Sequence, residues 1–511
     1  MALNLATMVH ESARSDGDKP ALLHDAGRMT YRELDDLSDR FAVGLREAGL
    51  GRGDRVAVQL PTIPEFVVAY LGILKNGSVV VPLNFLLKAG ELEYHLADSG
   101  ASALITWSRV AAEASKGAAA AGVGRVYVAG SGAAAGRPFE QLLASPPAGP
   151  GPLVQTDPGE VAVIIYTSGT TGRPKGAELT HFQMYMNADT PARAFGILPG
   201  DVVLIVLPLF HVFGLESQVN CCLRFAATMS LLPRFDPVRV FEVIQRDRVT
   251  IFEGVQTMYA DLVNHPDVGR FDLRSLRVGI SGGASLPADV LDRFERKFGI
   301  AILEGYGMTE TASTITQNSS AADRKIYSVG KPIWGVDVAV WDDQHRPLPP
   351  GAGHVGEIVV RGVNTMRGYH NRPQATAESF RDGWFLTGDL GYLDEDGFLF
   401  LVDRKKDLIN RGGEKVYPRE VEDVLHAHAA VAAAAVVGVP DERLGEEVKA
   451  YVALKAGTAA TEEELVAFTK DRMAPHKYPR SIELRPSLPK LATGKIDKKS
   501  LKAETRTKDG A

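Results

Sequence analysis

Tyr166-Thr-Ser-Gly-Thr-Thr-Gly-Arg-Pro-Lys-Gly176 follows a continuous apolar run, Val161 to Ile165, that reads as a buried strand. The eleven residues hold three glycines, four hydroxyl side chains (Thr167, Ser168, Thr170 and Thr171), an arginine and a lysine. Glycines let backbone N–H groups close on an anion, and hydroxyls and cations add donors, so the loop suits a polyphosphate. It departs from the P-loop, in which Gly-Lys-Ser/Thr opens a helix, because Lys175 is followed by Gly176. The plain alternative is a Gly/Ser/Thr surface turn. The interleaving of hydroxyls with cations over this length favours phosphate.

Outward from the loop, the chain alternates helix and strand. Tyr31 to Ala48 has helical periodicity, with Thr30 as N-cap and Gly49 as stop. Arg55 to Leu60 reads as a strand, Pro64 to Lys75 as a helix, Ser78 to Pro82 as a strand, Glu91 to Asp98 as a helix and Ala103 to Thr106 as a strand. This βα alternation predicts an α/β sheet with helices on its faces. An Ala/Gly/Pro-rich stretch, Ala111 to Pro152, reads as a loosely ordered surface connection. Further strands are expected at Val202 to Leu207, Thr250 to Val255, Leu276 to Ile280 and Ala301 to Glu304. From about Asp337 the pattern turns to β, with Asp337 to Trp341, Glu357 to Arg361 and Phe398 to Val402 as short strands and a hairpin turn at 394–397. After the charged run Asp403-Arg-Lys-Lys-Asp407 comes a small α+β unit: helix Pro418 to His426, strands Ala432 to Val439 and Val448 to Leu454, helix Glu462 to Met473. The expected division is a large domain at 1–404 and a small mobile one at 405–511.

The chain has 511 residues, too many for one ordinary core, so two or more domains are expected. An apolar share of 45% and a charged share of 23% are those of a soluble globular protein. With a net charge of -6 and both signs mixed along the chain, no basic field for nucleic acid is implied. Cys221 and Cys222, the two cysteines, are adjacent in an apolar segment, which suits a reducing compartment. The N-terminus shows no signal pattern and the longest apolar runs are too short to span a membrane, so a cytoplasmic location is expected.

Seven motifs in order resemble the adenylate-forming superfamily of acyl-CoA synthetases, peptide-synthetase adenylation domains and luciferases. They are YTSGTTGRPKG, PLFHVFG, SGGASLP, GYGMTET, GWFLTGDLGYLDEDG, DRKKDLINRGGEKVYPREVE and PKLATGKID. The resemblance covers most of the chain. It implies two steps: a carboxylate attacks the α-phosphate of ATP to give acyl-AMP and pyrophosphate, then a thiol, that of coenzyme A, attacks the acyl carbon and releases AMP. Both steps build negative charge and need preorganised donors and cations.

The resemblance assigns residues to these steps. Thr167, Ser168, Gly169, Thr170, Thr171, Gly172 and Lys175 would hold the β- and γ-phosphates. Gly283, Ala284, Ser285, Glu304, Gly305, Tyr306 and Gly307 would line the nucleotide site, with Tyr306 against adenine. Thr309 would meet the α-phosphate and Glu310 would bind Mg²⁺, which takes one or two carboxylates plus phosphate oxygens. Asp389 would accept from the ribose hydroxyls, and Arg404 would contact ribose or phosphate. Lys495 would be the catalytic lysine, a flexible point charge at the carboxylate and α-phosphate. Lys406 would be the hinge about which the small domain swings. Gly412 and Gly413 would then face the pantetheine channel, although Arg411-Gly-Gly-Glu414 also reads as a hairpin turn.

The acyl chain is expected near His211, Phe213, Gly214, Val255, Gly282, Gly283 and Gly307, with Gly282, Gly283 and Gly307 keeping the floor open. These apolar walls suit an uncharged acid, such as a medium- or long-chain fatty acid; a flat aromatic acid would also fit. Phe210 to Leu215 lacks the aspartate of amino-acid adenylation domains, and Gly305 stands where malonate-type ligases place an arginine. A fatty-acyl-CoA ligase is the expectation. Aryl-CoA ligases, free-standing enzymes that load an acyl carrier protein, luciferase-type oxygenases and non-catalytic binders stay open beside it. The implied partners are the acid, ATP and CoA, with a homodimer as an assembly open to the chain.

Overall fold

The computed structural model describes residues 2–131, 136–147, 151, 153–167, 173–284, 286–491 and 493–508, with side chains to 504. Four sheets build it. The first runs Gly368–Tyr369, Lys175–Thr180, Val161–Thr167, Val79–Pro82, Arg55–Gln59, Ala103–Trp107, Val126–Ala129, Arg137–Pro138 in spatial order. The second runs Lys331–Pro332, Thr316–Gln317, Ala301–Tyr306, Val278–Ser281, Ile251–Gly254, Val202–Ile205, Thr228–Leu231, Pro20–His24, Gly27–Thr30. The central strands of both are parallel, as the βα alternation requires.

The parallel strands are buried on both faces, and the two faces serve different cores. Val56, Val58, Ile105, Val163 and Ile165 of the first sheet share one core with Val203, Ile205, Ile251, Ile280 and Leu303 of the second. Helices Tyr31–Glu47, Pro64–Lys75, His181–Ala194 and Cys221–Phe225 contribute to that core and lie between the sheets. The outer face of the second sheet packs Leu204, Phe252 and Ile302 on helices Pro237–Asp247, Gln256–Asn264 and Ala288–Phe298. The outer face of the first packs Ala57, Val81 and Leu104 on helices Ala89–Ser99 and Ala111–Ala120.

That last helix corrects one expectation. The stretch from 111 onward is not a loose connection: Ala114, Ala118, Tyr127, Phe139 and Leu142 are buried, and Val126–Ala129 is a strand of the first sheet. Small alanines fit where helix 111–120 lies close to its neighbour, so a composition typical of linkers forms a packed layer here.

The third sheet is antiparallel: Val336–Trp341, Gly356–Gly362, Trp384–Leu393 and Phe380–Arg381, with Leu399–Arg404 also on Trp384–Leu393. The expected turn at 394–397 joins its last two strands, closed by Asp394 N to Phe398 O at 2.9 Å. The fourth sheet starts at Ile409–Arg411 and includes Glu414–Val416, Val431–Asp441, Gly445–Leu454 and Ser481–Leu484, with cores of its own. Cys221 and Cys222 are buried free thiols. Among the described residues, no helix is long and apolar enough to cross a membrane.

Candidate active site

Tyr306 ends the strand Ala301–Tyr306, and its hydroxyl donates to Asp389 Oδ2 at 2.7 Å. Asp389 stands on Trp384–Leu393, in register with Arg404, whose Nε is 3.5 Å from Asp389 Oδ1. Burial raises the Asp389 carboxyl above its ordinary range, while Arg404, the Tyr306 hydroxyl, Lys495 and Lys406 pull it back. One acid thus gathers a phenol and three cations. Lys406 sits beside this group, and burial, then Arg404, lower its ammonium pKa. The preceding Lys405 ties the connection to the third sheet, through its N–H to Gly388 O at 2.9 Å and Nζ to Glu357 Oε2 at 3.0 Å.

Lys495 reaches the group from the small unit. Its carbonyl accepts from Leu491 N at 2.7 Å, and Lys490 bridges Ile496, so a short hairpin carries it. The side chain passes over Gly283: a Cβ there would lie 3.0 Å from Lys495 Cε and 3.3 Å from Nζ. Burial, then Arg404, bring the lysine down to about 8, with Asp389 opposing. A cation so placed is easily neutralised and strongly felt by any anion that displaces water from it.

Of the residues expected to hold phosphate, Thr167 and Lys175 face each other where Val161–Thr167 meets Lys175–Thr180. Ser168, Gly169, Thr170, Thr171 and Gly172 between them lie outside the described residues, as does Ser285. Lys175 Nζ sits 4.2 Å from the centroid of the Tyr369 ring, and the Tyr369 hydroxyl donates to Glu310 Oε1 at 2.7 Å. Thr309 and Glu310 open the short turn Thr309–Thr311, and Glu310 O accepts from Met366 N at 2.8 Å. Burial raises the Glu310 carboxyl, and the Tyr369 hydroxyl and Lys175 counter it. Among the described residues no three His, Cys, Asp or Glu side chains form a metal cage. A single hard carboxylate near Lys175 still fits a magnesium ion whose other ligands would be phosphate oxygens and water.

Tyr369 was not singled out in the sequence. It belongs to a two-residue strand, and only its pairing with Ala177 brings it to Lys175 and Glu310. Tyr369→Phe is expected to weaken Mg²⁺-dependent ATP binding about ten- to hundredfold, since a hydrogen bond to a charged group is worth about 1.5–3 kcal/mol. Calorimetric titration of ATP with and without Mg²⁺ checks this; equal affinity in variant and wild type would refute it.

The expected acid side is the surroundings of Phe213. The helical run Phe213–Asn220 is a π-helix, a wider form common at functional sites. His211 Nδ1 accepts from Phe213 N at 3.2 Å, and burial, then Lys495, lower the imidazole to about 3, so it is neutral. A Cβ on Gly282 would lie 3.1 Å from the Phe213 ring. One turn further along the helix, Ser217 Oγ donates to Glu253 Oε2 at 2.9 Å. Glu253 is 1% exposed, and burial raises it to about 8, so it is a neutral acid at pH 7. Val255 is buried, its Cγ1 3.7 Å from the Cβ position of Gly283.

The glycines do not keep empty floor. Gly282 makes room for Phe213, Gly283 for Lys495, and Gly214 for the Pro208 carbonyl. At Gly307 a Cβ would overlap the Ser313 carbonyl oxygen, so this glycine permits a backbone crossing and opens no space. Gly305 pairs with Gln317. Glu304 is buried with its Oε1 accepting from Leu286 N at 3.1 Å, which anchors the loop that carries Gly283 and the exposed Ala284. Gly412 and Gly413, both with positive φ, make a two-residue hairpin between Arg411 and Glu414. Gly412 N donates to Leu444 O at 2.7 Å, within the small unit. A surface cleft of about 920 Å³ lined by Asp189, Arg193, Lys331 and Trp334 shares no residue with this site.

Residues 9–370 match the family described as AMP-binding enzyme, and residues 420–495 match the AMP-binding enzyme C-terminal domain. A long-chain-fatty-acid–CoA ligase of Bacillus subtilis is 36% identical, over 98% of this chain and 94% of the relative. A feruloyl-CoA synthase of Amycolatopsis sp is 40% identical, over 98% and 97%. The crystal structure of a benzoate CoA ligase from Burkholderia xenovorans superimposes with a TM-score of 0.89 at 31% identity, covering 98% of this chain and 99% of that one.

Proposed function

The chain belongs to the AMP-binding enzyme family, and from that premise we propose that it joins an uncharged, largely apolar carboxylic acid to coenzyme A through an acyl-AMP. The observation that carries this reading is the placement of Lys495, a small-domain cation seated against Gly283 and beside Asp389 and Arg404 of the large domain. In the first step a carboxylate oxygen of the acid bonds to the α-phosphorus of ATP, and the bond to pyrophosphate breaks. Lys495 stands where charge builds between acid and phosphate. Asp389 takes the ribose hydroxyls, Tyr306 flanks the base, Thr309 meets the α-phosphate, and Thr167 and Lys175 hold the leaving phosphates. Glu310 would hold Mg²⁺, which supplies charge neutralisation on the phosphate oxygens. In the second step the thiol sulfur of CoA bonds to the acyl carbon and AMP leaves. We place the domain boundary at 404/405 and the hinge at Lys406, whose rotation would withdraw Lys495 and present Gly412 and Gly413 to the thiol.

For the acid, the walls formed by Phe213 and Val255 support a fatty acyl chain, as in the Bacillus relative's name. A second reading is favoured by one observation. The Ser217–Glu253 pair lies one helical turn below the Phe213–Gly282 contact, and its hydroxyl and neutral carboxyl suit an aryl acid with a polar substituent better than an alkyl terminus. Acid-dependent release of pyrophosphate across a panel of alkanoic, benzoic and hydroxycinnamic acids separates the two. Rates that rise with chain length support the fatty acid; a preference for hydroxylated aromatics, lost in Glu253→Leu, supports the aryl acid. No release with any acid would sink the enzyme reading.

A further inference from the structure

Helix Gln256–Asn264 buries Met258, Tyr259, Leu262 and Val263 against the second sheet. Its opposite face, marked by Thr257 and Asp261, is one turn long at i, i+4 spacing. Both residues meet the hairpin that carries Lys495. Thr257 Oγ1 donates to Gly494 O at 2.9 Å, the carbonyl immediately before Lys495. Asp261 Oδ2 stands 3.5 Å from Lys490 Nζ, across the hairpin's base. Gly494 has φ +84, a left-handed conformation that favours glycine, and a Cβ on it would lie 3.2 Å from Val255 Cγ2 and 3.5 Å from Thr257 Oγ1, so the hairpin seats close against the helix. On the next turn, Asn264 lines a small cavity together with His426 and Lys455 of the small domain.

We propose that this face of the helix is a docking ridge for the lysine hairpin, with Thr257 a positioning residue that holds Lys495 over the acid and α-phosphate during adenylation only. The inference rests on the role given to Lys495 above. The Thr257 bond is the main element. Lys490 and Asp261 are each close to half exposed, and an exposed ion pair contributes little. Thr257 is half-buried, and its bond fixes the backbone next to the reacting cation, so its loss should appear in the rate rather than in substrate affinity. A domain that swings away for thioester formation breaks this bond, and that step should not depend on it.

The two half-reactions are measured separately in full-length protein: ATP–pyrophosphate exchange with the acid, and CoA thioester formation from supplied acyl-AMP. Thr257→Val is expected to lower kcat for exchange about threefold to tenfold at unchanged KM for ATP, the range of one neutral hydrogen bond. Thioester formation should stay at the wild-type rate, and Thr257→Ser should restore exchange. Wild-type exchange in Thr257→Val, alongside its loss in Lys495→Ala, would overturn the ridge alone. Equal slowing of both half-reactions would overturn it too, as a purely structural effect. Normal exchange in Lys495→Ala would remove the underlying role of the lysine and this inference with it.

Discussion

Replacing Lys495 by alanine is expected to slow acyl-AMP formation about 100- to 1,000-fold, and to leave CoA transfer from supplied acyl-AMP near the wild-type rate. The magnitude follows from position. The ammonium is half-buried, lies beside Asp389 and Arg404, and crosses Gly283 toward the space between the proposed acid and nucleotide sides. Charge there is worth far more than in water, and its neighbours in sequence, Lys490 and Lys498, are paired elsewhere, with Asp261 and Glu422. The same lysine gives a pH signature. At a pKa of about 8 it is charged below that pH and neutral above it. The kcat/KM for ATP in the first half-reaction, which reports the free enzyme, should therefore fall as pH rises through about 8. The thioester step should lack that limb. Equal loss of both half-reactions in Lys495→Ala, or an alkaline limb shared by both, would refute the assignment.

How much of this was legible in the sequence depends on where each constraint originates. Strands such as Val79–Pro82 and Ala301–Tyr306, and the helix Pro64–Lys75, carry their own apolar pattern, and they form close to where that pattern puts them. Asp389 and Lys495 were legible through motifs, although 106 residues separate them by number (495 − 389) and only the fold brings them together. What escaped was set by partners. Glu216, Ser217, Gln218 and Asn220 are polar side chains with no local signal of burial, yet all are buried on the π-helix, where Asn220 bonds Glu216 and Tyr70, and Ser217 bonds Glu253. Tyr369 and Thr257 meet their partners through a strand pairing and a hydrogen bond to Gly494, neither of which leaves a local pattern.

Gly307→Ala is expected to abolish acyl-AMP formation and to cost about 3 kcal/mol or more in stability, a size reserved for overpacked or strained sites. The added methyl would overlap the Ser313 carbonyl oxygen and crowd Thr314 Cα. Those atoms cannot retreat cheaply. Ala312 and Ser313 already hold positive φ of 51° and 102°, unusual for residues with a Cβ. The buried Asn187 clamps the segment from the other side, donating to Thr314 O at 2.9 Å and accepting from Thr314 N at 3.0 Å. Ile315 N to Tyr306 O, at 2.8 Å, closes the loop on the strand that carries Tyr306. The strain must then pass to the turn Thr309–Thr311 and to the Tyr306–Asp389 pair, the nucleotide contacts proposed above. Gly200→Ala is the matched control, because a Cβ there meets nothing within 4 Å. Thermal unfolding and ATP–pyrophosphate exchange on the two variants decide the matter. A Gly307→Ala protein that melts and turns over like Gly200→Ala would show that the 307–315 loop is softer than its clamps imply and that neither the backbone crossing nor the site needs a glycine there.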